Sequence, residues 1–106
     1  MDKKDYAGAE SIYRDVVHRF TEALSSDNVN TGIAHIKLGR TLLREKRFKE
    51  AETESLAGYN VLIKQTSNST SFLKAARKDL AAEYEALKQS DKAAKFHAEL
   101  LAMDKH

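Results

Sequence analysis

Apolar residues recur at helical spacing along the chain, in five blocks that short polar segments separate. In the first block, apolar positions lie three and four residues apart from Tyr6 to Leu24, and this stripe ends at the polar segment 25–28. The second block begins near Thr31, where Asn28, Asn30 and Thr31 are candidate N-caps, and it ends around 45–47. The pattern predicts two helices joined by a short turn.

The remaining blocks have similar polar boundaries. The third starts at about Phe48 and reaches the break at 66–70, which is the clearest loop in the sequence. The fourth block holds Phe72, Leu73, Ala76, Leu80, Tyr84 and Leu87, and the fifth holds Ala93, Ala94, Phe96, Leu100 and Leu101. We therefore predict an all-α fold of about five helices, whose short connections make neighbouring helices antiparallel.

The composition agrees with an all-α fold. Proline is absent and glycine occurs four times, while the common residues include Ala, Leu, Lys and Glu, which lose least on entering a helix. With 106 residues the chain can form one small domain with a single core. Because cysteine is absent, disulfides and thiolate metal sites are excluded, and apolar packing must stabilise the fold.

The apolar pattern repeats itself at a distance of 42 residues. The residue pairs at this distance are Leu38 and Leu80, Gly39 and Ala81, Leu42 and Tyr84, Ala51 and Ala93, Ala9 and Ala51, Tyr6 and Phe48, and Tyr13 and Ser55. One helix-turn-helix unit is therefore present twice, and the second helix of another unit precedes it. We divide the domain 1–106 accordingly into 1–27, 28–69 and 70–106.

These residues resemble the tetratricopeptide repeat, whose pattern is W-x2-L-G-x2-Y followed by A-x3-F. The matching segments are His35-x2-Leu38-Gly39-x2-Leu42 with Phe48-x2-Ala51-x3-Ser55, Arg77-x2-Leu80-Ala81-x2-Tyr84 with Ala93-x3-His97, and Tyr6-x2-Ala9-x3-Tyr13. The long period is similar to that of the repeats in kinesin light chain and in bacterial relatives that follow Ser/Thr kinase domains. The resemblance implies antiparallel helix pairs stacked into a short right-handed superhelix, an α-solenoid.

The resemblance also assigns positions to the packing between helices. Small residues belong where two helices cross most closely, and large ones fill the gaps around the crossing. The small positions are Ala9, Gly39, Ala51, Ala81 and Ala93, and the larger ones are Tyr6, Tyr13, Leu38, Leu42, Phe48, Leu80 and Tyr84.

In repeats of this kind the first helix of each pair lines a concave groove that meets the ligand. The resemblance places Ile33, Ile36, Lys37, Arg40, Leu43 and Arg44 on this face, followed by Lys74, Ala75, Lys78, Ala82 and Glu85 from the next repeat. Segment 31–49 carries six cations against the single acid Glu45. We expect a basic groove with apolar inserts, in which Arg40 and Arg44 point to solvent.

Candidate catalytic or metal-binding groups are sparse. The histidines, His18, His35, His97 and His106, form no HxxxH or H-E-x-x-H pair, and we interpret them as semi-buried structural residues. The carboxylates Glu50, Glu52 and Glu54 are expected on a solvated helix face, where they could not act in proton transfer. The sequence shows no P-loop, G-x-S-x-G or glycine-rich cradle. We expect no enzymatic activity, no cofactor and no metal.

The leading functional hypothesis is a non-catalytic scaffold that binds a protein or peptide, with acidic character, and that belongs to a larger multidomain protein. The first alternative is a self-association module that forms a homodimer. The second is an anionic-surface or nucleic-acid binder, which a net charge of only +2 disfavours. No apolar run reaches the ~18 residues of a membrane span, and no signal peptide is recognisable, so a cytoplasmic protein is expected.

Overall fold

The structure is a computed structural model, and it describes residues 5–65 and 70–103. Within these residues the prediction of five helices without strands is confirmed. The helices are α1 (Tyr6–Leu24), α2 (Val29–Arg44), α3 (Phe48–Leu62), α4 (Thr70–Ala86) and α5 (Ser90–Met103). No helix among the described residues is long and apolar enough to cross a membrane. Residues 66–69 of the predicted loop, like His106, lie outside the described part of the chain.

Side chains at the polar breaks fix where the first two helices begin. The Asp5 carboxylate accepts a hydrogen bond of 3.0 Å from the backbone N–H of Gly8 and caps α1. Of the three candidate caps for α2, Asn28 occupies the position, and its side chain accepts from the backbone N–H of Asn30 at 2.8 Å. Thr31 is buried instead, and its hydroxyl donates to the Ser25 carbonyl at 2.9 Å. This bond ties the end of α1 to the first turn of α2.

The turns that end α2 and α4 have the same geometry. Lys46 and Lys88, which stand 42 residues apart, are both left-handed, with φ values of 63° and 62°. The backbone N–H that follows each lysine donates to a carbonyl five residues earlier, from Arg47 to Leu42 at 3.0 Å and from Gln89 to Tyr84 at 2.8 Å. Both turns are thus Schellman motifs, which reverse the chain tightly enough to start α3 and α5 at once.

Helices α2 and α3 are antiparallel and cross at close range. A Cβ atom on Gly39 would lie 2.9 Å from the backbone nitrogen of Ser55 and 3.3 Å from the carbonyl oxygen of Ala51. One on Gly58 would lie 2.5 Å from the carbonyl oxygen of Gly32. The Gly39 contact lies where the sequence placed a close crossing, while the contact between Gly32 and Gly58 was not predicted. Two backbones in contact leave no room for larger side chains along this interface.

Buried apolar residues form two clusters, and each of them includes residues of both α2 and α3. The larger joins α2 to α5, and in it the Phe96 ring meets Tyr59 edge-on at 5.2 Å and stacks with Tyr84 at 5.9 Å between ring centroids. The smaller cluster contains Leu38, Leu42 and Ala51, with Tyr13, Val17 and Leu43 packed at its edge. Each helix packs on the next, and α2 also contacts α4.

The residues that the sequence assigned to helix packing fall into a buried group and a half-buried group. Those on α2, α4 and α5 are buried, as is Ala51 of α3: Leu38, Gly39, Leu42, Ala51, Leu80, Ala81, Tyr84 and Ala93. Tyr6, Ala9, Tyr13 and Phe48 are only half-buried. Helix α1 contributes no buried residue, because α2 is the only described helix whose backbone packs against it and its contact with α3 is the ion pair of Arg14 with Glu50 at 3.3 Å.

Candidate interaction surface

A groove runs between α1 and α2 along most of their length. It is formed by two adjoining cavities of 220 Å³ and 310 Å³, which share Tyr13 and Lys37 in their walls. The α1 wall carries Tyr6, Ala9, Tyr13, Val16 and Phe20, and the α2 wall carries Asn30, Ile33, Ala34, Lys37, Arg40, Thr41 and Arg44. The groove is therefore apolar on the α1 side and cationic along α2. We call it the α1/α2 groove.

The cations Lys37, Arg40 and Arg44 form a ridge along the α2 side of this groove, because they are three and four residues apart on one helix face. Lys37 is exposed, and its Nζ atom lies 6.0 Å from the centroid of the Phe72 ring of α4. Arg44 is exposed as well. Neither of these two makes an ion pair within 4 Å with any described residue.

Arg40 does not point freely to solvent, which corrects the sequence-based expectation. Its guanidinium donates to both carboxylate oxygens of Asp79 on α4, from Nε at 3.2 Å and from Nη2 at 3.3 Å. The Asp79 side chain is only 9 % exposed, whereas that of Arg40 remains 40 % exposed. Burial raises the pKa of Asp79, and the hydrogen bond from Arg40 opposes that rise. Arg40 thus holds α2 and α4 together while lining the groove.

Ile36 does not belong to the groove either. It is 3 % exposed and lies in the larger core cluster, because it faces the Gly58 backbone on α3. Ile33 and Leu43 are half-buried at the edges of the two clusters. Of the predicted ligand-binding residues, the structure brings Ile33, Lys37, Arg40 and Arg44 together.

The predicted ligand-binding residues on α4 lie elsewhere. Lys74, Lys78 and Glu85 are exposed but line neither cavity of the α1/α2 groove. Glu85 instead accepts a hydrogen bond of 2.8 Å from His97 and borders a separate cavity of 400 Å³ between α4 and α5. These three residues of α4 therefore do not contribute to the α1/α2 groove.

Three of the six cations of the basic segment 31–49 form ion pairs with acids inside or outside the segment. Arg47 pairs with Glu10 at 2.7 Å, Glu45 at 3.4 Å and Glu50 at 2.6 Å. Lys49 pairs with Glu52 at 2.9 Å, and Arg40 pairs with Asp79. Three of the six cations remain without an ion pair among the described residues: Lys37 and Arg44 beside the groove, and the exposed Lys46 in the turn after α2.

Sequence reasoning missed a group of buried carboxylates. Glu83 is 0 % exposed and Glu52 is 6 % exposed, so Glu52 does not lie on a solvated face as expected. The Ser55 hydroxyl donates to Oε2 of Glu83 at 2.9 Å, while Oε1 is buried without a hydrogen-bond partner among the described residues. Burial raises the pKa of Glu83 from its ordinary value of 4.5 to about 9. Glu83 is therefore a neutral acid at neutral pH.

The two other buried carboxylates, Glu52 and Asp79, pair with the cations Lys49 and Arg40. Burial opposes ionisation of Glu52, but hydrogen bonds from Lys49 and Tyr84 outweigh it and lower the pKa of Glu52. Burial and the hydrogen bond to Glu52 both raise the pKa of the Tyr84 phenol.

The sequence did contain a signal that Glu83 is buried. Glu83 continues the apolar stripe of Ala76 and Leu80 at helical spacing.

The described histidines pair with carboxylates. His35 is half-buried and lies 2.7 Å from Glu54, while His97 and His18 are exposed, which corrects the expectation that both are semi-buried. His18 lies 3.6 Å from Glu22. Within residues 5–65 and 70–103, no three His, Cys, Asp or Glu side chains are placed to share a metal ion.

Replacing Arg40 with methionine should destabilise the fold by about 1–3 kcal/mol, because the largely buried Asp79 carboxylate would lose its hydrogen-bond donor. Arg44→Met is the matched control, and we expect it to stay within about 0.5 kcal/mol of the parent, since Arg44 is exposed. Urea denaturation measures both. Equal stability of the two variants would contradict a structural role for Arg40.

Comparisons of the chain with protein-family models, with curated proteins and with solved structures found no match in any of the three.

Proposed function

We propose that this chain is a non-catalytic helical-repeat scaffold that binds a protein or peptide in the α1/α2 groove. The observation that carries the proposal is the groove itself, whose apolar α1 wall faces the cationic ridge of Lys37, Arg40 and Arg44. Contact with the apolar α1 wall would supply affinity, and the cationic ridge would select and steer the partner. This arrangement suits an acidic peptide with an apolar anchor.

Several features support a tandem repeat of tetratricopeptide type. The 42-residue spacing in the sequence recurs in the Schellman turns at Lys46 and Lys88. Packing of each helix on the next is also what stacked helix pairs produce. In such an array the first helix of each pair is α2 or α4, so the cationic ridge lies on a first helix.

Self-association is a second candidate, and two exposed apolar residues favour it. Ile12 on α1 is 63 % exposed and Leu101 on α5 is 64 % exposed, which places one apolar residue at each end of the helix order. A homodimer would cover one or both. Sedimentation equilibrium at high micromolar concentration tests this candidate, and a monomer there would argue against it.

Binding to nucleic acid receives less support. The ion pairs of Arg40, Arg47 and Lys49 leave only Lys37, Arg44 and Lys46 as unpaired cations among the described residues of segment 31–49. A binder of phosphates needs several unpaired cations spread along one face. A steep fall in affinity for a duplex oligonucleotide with rising salt would be the result that revives this alternative.

Selection of ligands from a random-sequence peptide library tests the leading proposal. We expect the enriched peptides to combine acidic residues with one large apolar side chain. Their affinity should fall as salt rises, because the ridge is exposed, but should not vanish, because the apolar contact is not screened.

The matching variant is Lys37→Glu with Arg44→Glu, which reverses the two unpaired cations of the ridge and leaves the Arg40–Asp79 contact intact. We expect the selected peptides to lose about tenfold or more in affinity, while the melting temperature stays close to that of the parent. Lys64→Glu with Lys88→Glu is the control, since both lysines are exposed and outside the groove. Equal losses in the two double variants would indicate a general effect of charge and contradict the proposed site.

A further inference from the structure

The α1 wall of the groove corresponds to a face that is covered elsewhere in the molecule. On α3, the residues Ala51, Ser55, Gly58 and Leu62 are all buried, and α2 lies against this helix at Gly39 and Gly32. Moving back 42 residues along the sequence maps the four α3 residues onto Ala9, Tyr13, Val16 and Phe20. Those four residues of α1 line the groove. The groove therefore opens where an equivalent of α2 would pack on α1.

The α2 wall of the groove leads to the same conclusion. Helix α2 contacts α4 through Arg40 on Asp79 and through Lys37 over Phe72. The same shift of 42 residues maps Asp79 onto Lys37 and Phe72 onto Asn30. Both Lys37 and Asn30 line the groove. The two walls of the groove thus carry the positions that on α3 and α4 contact α2. The space between the walls is therefore a slot for one more helix.

The charges of the slot differ from those around α2. On α2, Arg40 meets the carboxylate of Asp79 on α4. In the slot, the position equivalent to Asp79 is the cation Lys37. None of the described residues that line the two cavities is acidic. A helix in the slot would therefore need a carboxylate where α2 carries Arg40. Further acids three or four residues away would meet Arg44 on the same ridge.

We infer that the α1/α2 groove is a docking slot for an acidic amphipathic α-helix of a partner protein, lying antiparallel to α1 with its carboxylates along Lys37 and Arg44. The inference rests on the proposed function and specifies the partner's conformation and charge. The wall from Tyr6 to Phe20 spans 14 helical rises, about 21 Å, so a partner helix of roughly 14–16 residues would fill it.

A second copy of the chain is a poor occupant for this slot. The α5 helix, which lies last in the helix order, corresponds to α1 and α3 through Ala93, Ala51 and Ala9, not to α2. Its exposed charged residues are the cations Lys92 and Lys95 against the single acid Asp91, which does not suit a cationic ridge. The repeat register therefore argues against α5 of a second copy, and the cations of the ridge favour an acidic partner helix.

The test uses synthetic peptides whose sequence is that of α2, residues 29–44, held helical by a staple on the side away from the slot. The acidic peptide carries Lys37→Glu, Arg40→Glu and Arg44→Glu, and the basic peptide keeps the three cations. A third peptide has the acidic sequence with proline in place of Gly39 and no staple, so that it cannot form a helix. Fluorescence anisotropy with the full chain measures all three.

We expect the acidic helical peptide to bind about tenfold or more tightly than either of the others. The protein variant Lys37→Glu with Arg44→Glu should invert the order and prefer the basic helical peptide, because reversed charges on both sides restore the pairing. This exchange is a result that general stickiness of an apolar groove would not produce.

Three outcomes would overturn the inference. Equal binding of the proline peptide would show that the groove takes an extended chain, and the proposed function would stand without the helix. Failure of the acidic helix to bind, while library peptides still depend on Lys37 and Arg44, would have the same meaning. The third outcome is a dimer of the parent chain that the variant Ile12→Lys converts to a monomer. If only the monomer then binds the acidic helical peptide, the occupant of the slot is a second copy of the chain.

Discussion

Replacing Gly58 with leucine should destabilise the fold by about 3 kcal/mol or more, at the upper end of what overpacking costs. A Cβ atom at this position would lie 2.5 Å from the carbonyl oxygen of Gly32 and 3.1 Å from the backbone nitrogen of Ile36. These are backbone atoms of α2, so they cannot move aside as the end of a flexible side chain can. The two helices would have to separate, which would open the core around Ile36 and Leu62.

The effect of Gly58→Leu should appear although leucine favours a helix over glycine by about 1 kcal/mol. Asn60→Leu is the matched control, since Asn60 is exposed on the same helix. We expect the control to change the free energy of unfolding by less than about 0.5 kcal/mol. A Gly58→Leu protein that unfolds at the same urea concentration as the control would show that α2 and α3 do not cross at this point.

The second large effect concerns pH, because Glu83 is buried beside Ser55 and its pKa is raised to about 9. In the unfolded chain this carboxyl has its ordinary pKa of 4.5, so between these two values the folded protein holds a proton that the unfolded chain has released. Stability from this group is therefore complete below about pH 4.5 and is lost as pH rises towards 9. We expect the free energy of unfolding to fall by on the order of a few kcal/mol between about pH 5 and pH 8.

The neighbouring carboxylates modify this dependence in opposite directions. Asp79, whose pKa is also raised, adds to the loss at higher pH. The pKa of Glu52 is lowered, so its contribution is present above its ordinary value and is lost as pH falls below that range. Maximum stability is therefore expected in mildly acidic solution.

Glu83→Gln removes the titrating group and nearly preserves its shape. We expect this variant to resemble the parent at about pH 5 but to be more stable at pH 8, with a flatter pH profile between them. Glu22→Gln, an exposed carboxyl on α1, is the control and should leave the profile unchanged. Chemical denaturation at a series of pH values measures all three proteins. A steep profile that persists in Glu83→Gln would place the titration on another group.

The helices could be predicted because the signals that define them are local. A helical stripe, an N-cap such as Asn28 and a polar break after Leu24 act over a few residues, and the structure places the ends of α1 and α2 close to those signals. The boundary at Phe48 also agrees with the start of α3. The 42-residue period adds to this local information, because it relates the packing positions of α2 and α3 to those of α4 and α5.

The candidate groove was only partly predictable, since a helix face has no fixed exposure until its neighbours are known. Ile36 and Lys37 are adjacent in the chain, yet one is buried against Gly58 and the other is exposed beside the groove. Arg40 looked like a solvent-exposed cation until α4 placed Asp79 within 3.2 Å of it. The sequence placed no residue of α1 beside a ligand, yet Val16 and Phe20 of this helix line the groove.

By itself the sequence determined the helices, their order and the repeated spacing of small and large residues, because propensity and periodicity act within one or two turns. Only the tertiary structure decided which charges remain unpaired and which carboxylates are buried. Charge pairs such as Arg47 with Glu10 and contacts such as Ser55 with Glu83 join residues 37 and 28 positions apart. Such contacts depend on how the helices cross, and the desolvation that raises the pKa of Glu83 arises only when α3 and α4 pack together.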